Sequence, residues 1–244
     1  MISVRALSCG YKNPVLQGIS FSCAKNISVL GANGVGKSTL AKALCGLLPY
    51  EGEIVINEKP LEAYTANERA RTITYIPPKL ASFDAFITVE EFILMGRYPH
   101  KTALSNYTKE DKELVAALLA EAALSPQHAI TELSSGQQQL VLIAQALAQE
   151  SRIILFDEPT ANLDPKHAYD FYQALKNLPE ETQKIVITHD LHFAKALGYP
   201  VLFMRKDRVS LYQEPQQFFT PENLTACYGV AFSSNAQSPE VHYD

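Results

Sequence analysis

"ISVLGANGVGKSTLAKALCGLL", residues Ile27 to Leu48, sets a short apolar run before a glycine-rich turn and follows it with a helical pattern. The turn, Gly31–Thr39, fits G-x-x-x-x-G-K-[ST], in which small residues let successive backbone N–H groups point at phosphate oxygens. Gly31, Asn33, Gly34, Gly36 and Thr39 are the candidate cradle; Lys37 adds a cation and Ser38 a magnesium ligand. The order strand, loop, helix is the one a triphosphate site requires. It predicts a buried strand over "ISVLG" and a helix over "KSTLAKALCGLL" with Leu40, Leu44, Leu47 and Leu48 on one stripe. The helix dipole, about 0.3–1 kcal/mol per favourable charge, is secondary to the direct hydrogen bonds.

Two further apolar runs end in chemistry. "IILFD" stops at Asp157, and a carboxylate at the carboxyl edge of a parallel sheet can hold hydrated Mg²⁺ beside phosphates. Glu158 follows at once, placed to orient and deprotonate an attacking water, a role worth about 10²–10⁴ in rate. "KIVITH" ends at His189, a third strand end facing the same crevice and within reach of a γ-phosphate. Tyr11 lies in a loop between the first strands, and two readings stand together: stacking on an adenine face, or ordinary packing.

Composition bounds the rest. A chain of 244 residues, 47% hydrophobic and 19% charged, is long enough for one large α/β domain and too apolar for disorder. The richest apolar stretches, "LVLIAQALA" and "VAALLAEAAL", fall short of the roughly 20 residues a bilayer needs. A net charge of −5 argues against a nucleic-acid partner. Cys9, Cys23, Cys45 and Cys227 are scattered without C-x-x-C spacing, so packed, reduced thiols are expected instead of zinc or disulfides. The first residues carry no basic-then-apolar pattern, which sets the expectation of a cytosolic chain.

"ISVRAL", "GISFSC" and "GEIVIN" alternate like antiparallel strands of a side sheet. From about 82 to 150 the pattern turns helical, with capping-box spacing at Thr88/Glu91 and Ser134/Gln137 around the amphipathic "KEDKELVAALLAEAAL". Asp164 reads as an N-cap followed by Pro165, "VLFMRKDRVSLY" as a hairpin, "TPENLTACYG" as a short helix and "SSNAQSPEVHYD" as a loose tail.

The ordered set Tyr11, "GANGVGKST", "LSSGQQQ", "IILFDEP", "ANLD" and His189 resembles the ATP-binding cassette family, specifically the nucleotide-binding subunit of a transporter, over nearly the whole chain. The resemblance implies an α/β fold: a P-loop NTPase core with a mainly parallel sheet (about 1–81 and 151–220), an N-terminal antiparallel β subdomain, an inserted α-helical signature subdomain (82–150) and a tail (221–244). It implies ATP and Mg²⁺ as cofactors and a head-to-tail homodimer. Ser134, Ser135, Gly136 and Gln138 would reach the γ-phosphate held by the second copy, and Asn162 and Asp164 would link the two sites across the interface. Further implied partners are integral-membrane permease subunits and a separate substrate-binding protein, with the chain peripheral on the cytoplasmic membrane face. "FITVEEFILMGRYPH" and "TPENLTACYGV" resemble ATPases of importers for iron chelates, haem and cobalamin; zinc and manganese importers have a similar stretch. Exposed Arg97, Tyr98, Pro99 and His100 would suit docking to a permease, or form an ordinary solvated helix end. A soluble regulatory cassette and a degenerate nucleotide-binding cassette are the rival readings; a single phosphate loop and a single signature favour the transporter subunit.

The chain departs from the family pattern in three places. Pro78 stands where glutamine is usual, and a side chain without carbonyl or N–H cannot ligate a metal, so weakened metal-linked closure of the helical lobe is expected, with Lys79 as a substitute contact. Ser135 replaces a glycine and would be strained if its φ were positive. Leu140 stands where arginine is common.

Overall fold

A computed structural model describes residues 1–80, 86–102, 105–161, 163–206 and 208–232. The alternating N-terminal segments form β1 (Ile2–Gly10) and β2 (Pro14–Cys23), which pair antiparallel, and β4 (Tyr50–Ile56) and β5 (Lys59–Pro60) extend them into a sheet ordered β2-β1-β4-β5. Between them β3 (Ile27–Gly31) leaves this sheet for a second one and feeds α1 (Lys37–Leu44). Every residue of β3 is buried, as its unbroken apolar run requires of a strand covered on both faces.

The second sheet runs β10-β9-β3-β8-β7-β6, with β6 (Ile73–Ile76), β7 (Ile153–Asp157), β8 (Gln183–Ile187) and β9 (Val201–Met204) parallel to β3, and β10 (Val209–Tyr212) closing the edge as the antiparallel half of the expected hairpin. Register matters for function. Ile187 of β8 pairs with Val29 on one side and Asp157 on the other, so β7 and β8 end in one row and β3 runs two residues beyond it into the loop. Helices α2 (Ala66–Thr72), α6 (Pro165–Asn177), α7 (Leu191–Leu197), α8 (Pro215–Phe218) and α9 (Pro221–Tyr228) complete the sheet-bearing part; α3 (Val89–Met95), α4 (Lys109–Glu121) and α5 (Ser135–Ala148) share one apolar cluster with α6, α7 and one face of β6, β7 and β8. The capping boxes Thr88/Glu91 and Ser134/Gln137 both form, and Asp164 caps α6 by accepting from His167 N–H. Among the described residues no helix is long and apolar enough to cross a membrane. The tail expected over 233–244 lies outside the described residues.

Three expectations need correction. Helix α1 stops at Leu44 because Gly46, at φ 64, turns the chain: Gly46 N–H donates to Ala43 and Leu47 N–H to Lys42, a left-handed C-terminal cap that swings Leu47 off the stripe to 60% exposure. Strand β8 ends at Ile187, so His189 stands two residues beyond it. Arg97 is not a solvated docking residue. Its Nε donates to Asp111 Oδ1 at 2.7 Å, and its NH1 donates to the Ala148 carbonyl at 2.7 Å and to Glu150 Oε2 at 2.6 Å. His100 Nε2 meets the Gln149 carbonyl at 2.9 Å; only Tyr98 of the four is exposed.

Arg97 therefore pins α3, α4 and the end of α5 together, with side chains 11% exposed for Arg97 and 8% for Asp111. Burial pushes the Asp111 carboxyl up, but the Thr108 backbone donor and the Arg97 guanidinium outweigh it and hold the group below its ordinary value. Removing the guanidinium leaves a buried carboxylate unpaired. Arg97→Met is expected to cost about 3 kcal/mol, the low end for a broken buried pair because Glu150 is half in water, or roughly 6–12 °C in Tm. A depressed folded pKa contributes stability above the unfolded value near 3.9 and loses it as pH falls. The gap between parent and variant in thermal melts should be full at pH 7 and shrink below about pH 4; a gap that persists unchanged at pH 3 contradicts the pairing.

Candidate nucleotide site

The loop after β3 owes its shape to glycine. Gly36, at φ 104, is the N-cap of α1, and a Cβ there would press on the Leu16 side chain at 2.6 Å; Gly34 takes φ 77. Both sit in backbone that L side chains rarely adopt. The result is a loop whose tip, Ala32–Gly34, is exposed while Lys37 and Thr39 are buried. Lys37 Nζ donates to the Gly31 carbonyl at 2.9 Å and the Ala32 carbonyl at 3.3 Å, folding back over the loop. Asn33 and Ser38 are exposed, Asn33 at that tip and Ser38 on the first turn of α1.

The row of strand ends delivers Asp157 and Glu158 beside it. Glu158 N–H donates to the Ile187 carbonyl and Thr188 N–H to the Val29 carbonyl, continuing the sheet for one residue past its nominal edge. Glu158 takes φ 50, an uncommon backbone for a non-glycine residue, which turns its side chain out of the strand pattern at a site where strain is commonly stored. Its two oxygens have separate partners. Oε1 lies 3.5 Å from Lys37 Nζ, and Oε2 accepts from His189 N–H at 3.1 Å and sits 2.7 Å from His189 Nδ1. An ionised carboxylate only accepts, so Nδ1 carries the proton and the tautomer is fixed. Lys37, Glu158 and His189 are thus one connected unit, with the Glu158 side chain only 17% exposed.

Asp157 is 1% exposed, and the Tyr75 hydroxyl donates to its Oδ2 at 2.8 Å. Burial, then the Asp157 charge and this hydrogen bond, push the Tyr75 phenol well above its ordinary value, so it stays a donor. Asp157 Oδ1 is buried with no hydrogen-bond partner. A buried carboxylate oxygen without a donor is costly, and a divalent cation, which takes oxygen ligands, is the kind of group this oxygen fits. Tyr75 was not singled out in the sequence; the available signal was its place on the strand next to the one ending in Asp157.

Tyr11 is 67% exposed, and Lys42 Nζ donates to its hydroxyl at 2.8 Å while lying 5.5 Å from the ring centroid. The Tyr11 ring is exposed, with the Lys42 ammonium over it.

Ser134 Oγ accepts from Gln137 N–H, and Gln137 Oε1 accepts from Ser134 N–H, so the serine caps α5 while its residue stays exposed. Ser135 begins α5 and is absent from the positive-φ residues, so the strain considered for it does not arise. Gly136 is packed under His167: a Cβ would meet His167 Cδ2 at 2.4 Å. His167 Nδ1 lies 2.9 Å from Asp164 Oδ1, tying the cap of α6 to the start of α5, a link the sequence reading missed. Gln138 Nε2 donates to the Leu133 carbonyl. Among the described residues no hydrogen bond or ion pair joins Ser134–Gln138 to Gly31–Thr39. Asn162 lies outside the described residues. Leu140 is half-buried against the helical cluster and Lys79 is exposed. Pro78 and Lys79 line a cavity of about 290 Å³ with Ser135, Gln138 and Gln139.

Known proteins fit this geometry. Residues 16–161 match the family profile described as ABC transporter. The hemin import ATP-binding protein HmuV of Pseudomonas putida is 34% identical, over 99% of this chain and 98% of its own. A solved metal-chelate type ABC transporter in an inward-facing conformation superposes with TM-score 0.80 at 29% identity, covering 94% of this chain and 89% of that one. A dimeric structure of a bacterial ABC transporter cassette gives TM-score 0.74 at 27% identity, covering 88% and 98%.

Proposed function

Because the chain belongs to the ABC transporter family, and its ATPases, we propose that it is the ATP-binding subunit of an importer and that two copies, head to tail, close around two Mg·ATP. The observation that carries the reading is the connected unit of Lys37, Glu158 and His189 beside a glycine-shaped loop. Tyr11 stacks on adenine. The backbone of Gly31, Asn33, Gly34, Gly36 and Thr39 cradles phosphates, and Lys37 exchanges its carbonyl partners for phosphate oxygens. Ser38 and Asp157 would hold Mg²⁺, which when bound would offset negative charge on the phosphate oxygens.

Glu158 takes a proton from the attacking water, whose oxygen bonds to the γ-phosphorus while the bond to the β-bridging oxygen breaks and ADP leaves with its electron pair. His189, donating through Nδ1 and N–H, holds Glu158 in place. The α5 tip of the second copy, Ser134, Ser135, Gly136 and Gln138, caps the γ-phosphate; the isolation of that tip from the loop of its own chain supports this. Asn162 and Asp164 connect the two sites.

The cargo reading, an iron chelate, haem, cobalamin or related metal compound, rests on the relative named for hemin import and the metal-chelate type neighbour. Permease subunits, a separate substrate-binding protein and a peripheral place on the cytoplasmic membrane face complete it. Tagged chain purified from detergent-solubilised membranes should bring down a polytopic membrane protein and hydrolyse ATP only with Mg²⁺. Recovery of ATPase activity wholly in the soluble fraction, with no membrane partner, would favour the regulatory cassette instead.

A further inference from the structure

The loop after β6 leaves the sheet through "YIPPK", Tyr75–Lys79, and Pro78 in it has neither a side-chain oxygen nor a backbone N–H. Strands β6 and β7 run in parallel register, with Tyr75 paired to Leu155 and Ile76 to Phe156, which sets the Tyr75 ring beside the end of β7. From there its hydroxyl reaches Asp157 Oδ2 at 2.8 Å.

The consequence is a division between the two oxygens of Asp157. Oδ2 has its donor, and Oδ1, equally buried, has none. The two oxygens of an ionised carboxylate are interchangeable, so what the hydrogen bond fixes is the plane of the group, and with it the direction of the oxygen left without a donor. Near-complete burial of Asp157 limits the access of bulk water to its side of this bond.

The geometry points to Tyr75 as a positioning residue for the divalent cation: it fixes Asp157 so that the oxygen without a donor faces the metal. This rests on the reading of Asp157 as a metal ligand. Outer-shell partners of a ligating carboxylate commonly set metal affinity by 10–100-fold, and the same is assigned here.

Mn²⁺ binding to the ADP-loaded protein, followed by the electron paramagnetic resonance signal of the free ion, tests it in parent, Tyr75→Phe and Asp157→Asn. Phenylalanine keeps the ring packing and removes only the donor. Tyr75→Phe is expected to weaken Mn²⁺ roughly tenfold, while ADP affinity in EDTA stays within twofold of the parent. Mn²⁺ affinity within twofold of the parent in Tyr75→Phe, with Asp157→Asn clearly weakened, overturns the inference and leaves the ligand reading standing. Unchanged affinity in Asp157→Asn removes both. Equal losses of Mn²⁺ and metal-free ADP in Tyr75→Phe mark a general structural role and overturn it as well. Should Tyr75→Phe fold poorly by circular dichroism, Tyr75→Gln, which keeps a donor, takes its place: it must hold metal more tightly than Tyr75→Leu, and the reverse order rejects the assignment.

Discussion

Glu158→Gln is expected to lower steady-state ATP turnover by about 10²–10⁴ while leaving ATP binding intact or tighter. The amide preserves the shape of the side chain and its oxygen still accepts from His189, whose N–H and Nδ1 both engage the native carboxylate. What it loses is the capacity to take a proton. It also loses the charge 3.5 Å from Lys37 Nζ, which frees the lysine for phosphate. Backbone strain does not distinguish the two, because glutamine at φ 50 carries the same cost as glutamate. Phosphate release at saturating ATP and Mg²⁺ is the readout. Turnover within a few-fold of the parent removes Glu158 as the proton acceptor.

Gly136→Asp is expected to abolish ATP-driven association without touching the phosphate loop of the same chain. An acidic residue in the first turn of α5 suits that helix, so the variant should fold. The nearest atoms a Cβ at this position meets are those of the His167 ring, at 2.4 Å, and that side chain, 39% exposed, can swing away at the cost of its contact with Asp164. Toward a second copy the effect is severe. A carboxylate about 4 Å from an incoming phosphate charge costs about 4 kcal/mol at an effective dielectric of 20, close to 10³ in the closed-dimer equilibrium. Two measurements separate the copies: ATP affinity of the isolated variant, expected within threefold of the parent, and turnover, expected to fall at least a hundredfold. A matching loss of both would place the α5 tip in its own chain's site.

The sheet-and-loop core was legible because its signals are local. An unbroken apolar run is a doubly covered strand, capping boxes announce themselves at a spacing of three, and the glycines of Gly31–Thr39 declare a phosphate cradle. Arg97 was misread because its partners Asp111 and Glu150 lie 14 and 53 residues away, and a polar run after a short helix gives no hint of them. The His167–Gly136 contact was invisible for the same reason, and the Tyr75–Asp157 contact left only the hint of neighbouring strands: each depends on how separate elements pack. Leu47 failed for a local reason, since Gly46 ended the helix one turn early.

The central claim is that one copy's nucleotide site is finished by the α5 tip of another. Light scattering of the Glu158→Gln protein with Mg·ATP measures it directly. The account predicts a particle of two chains carrying two ATP, absent without nucleotide and absent when Gly136→Asp is added. A single chain that retains its ATP and shows no dependence on Gly136 would contradict it.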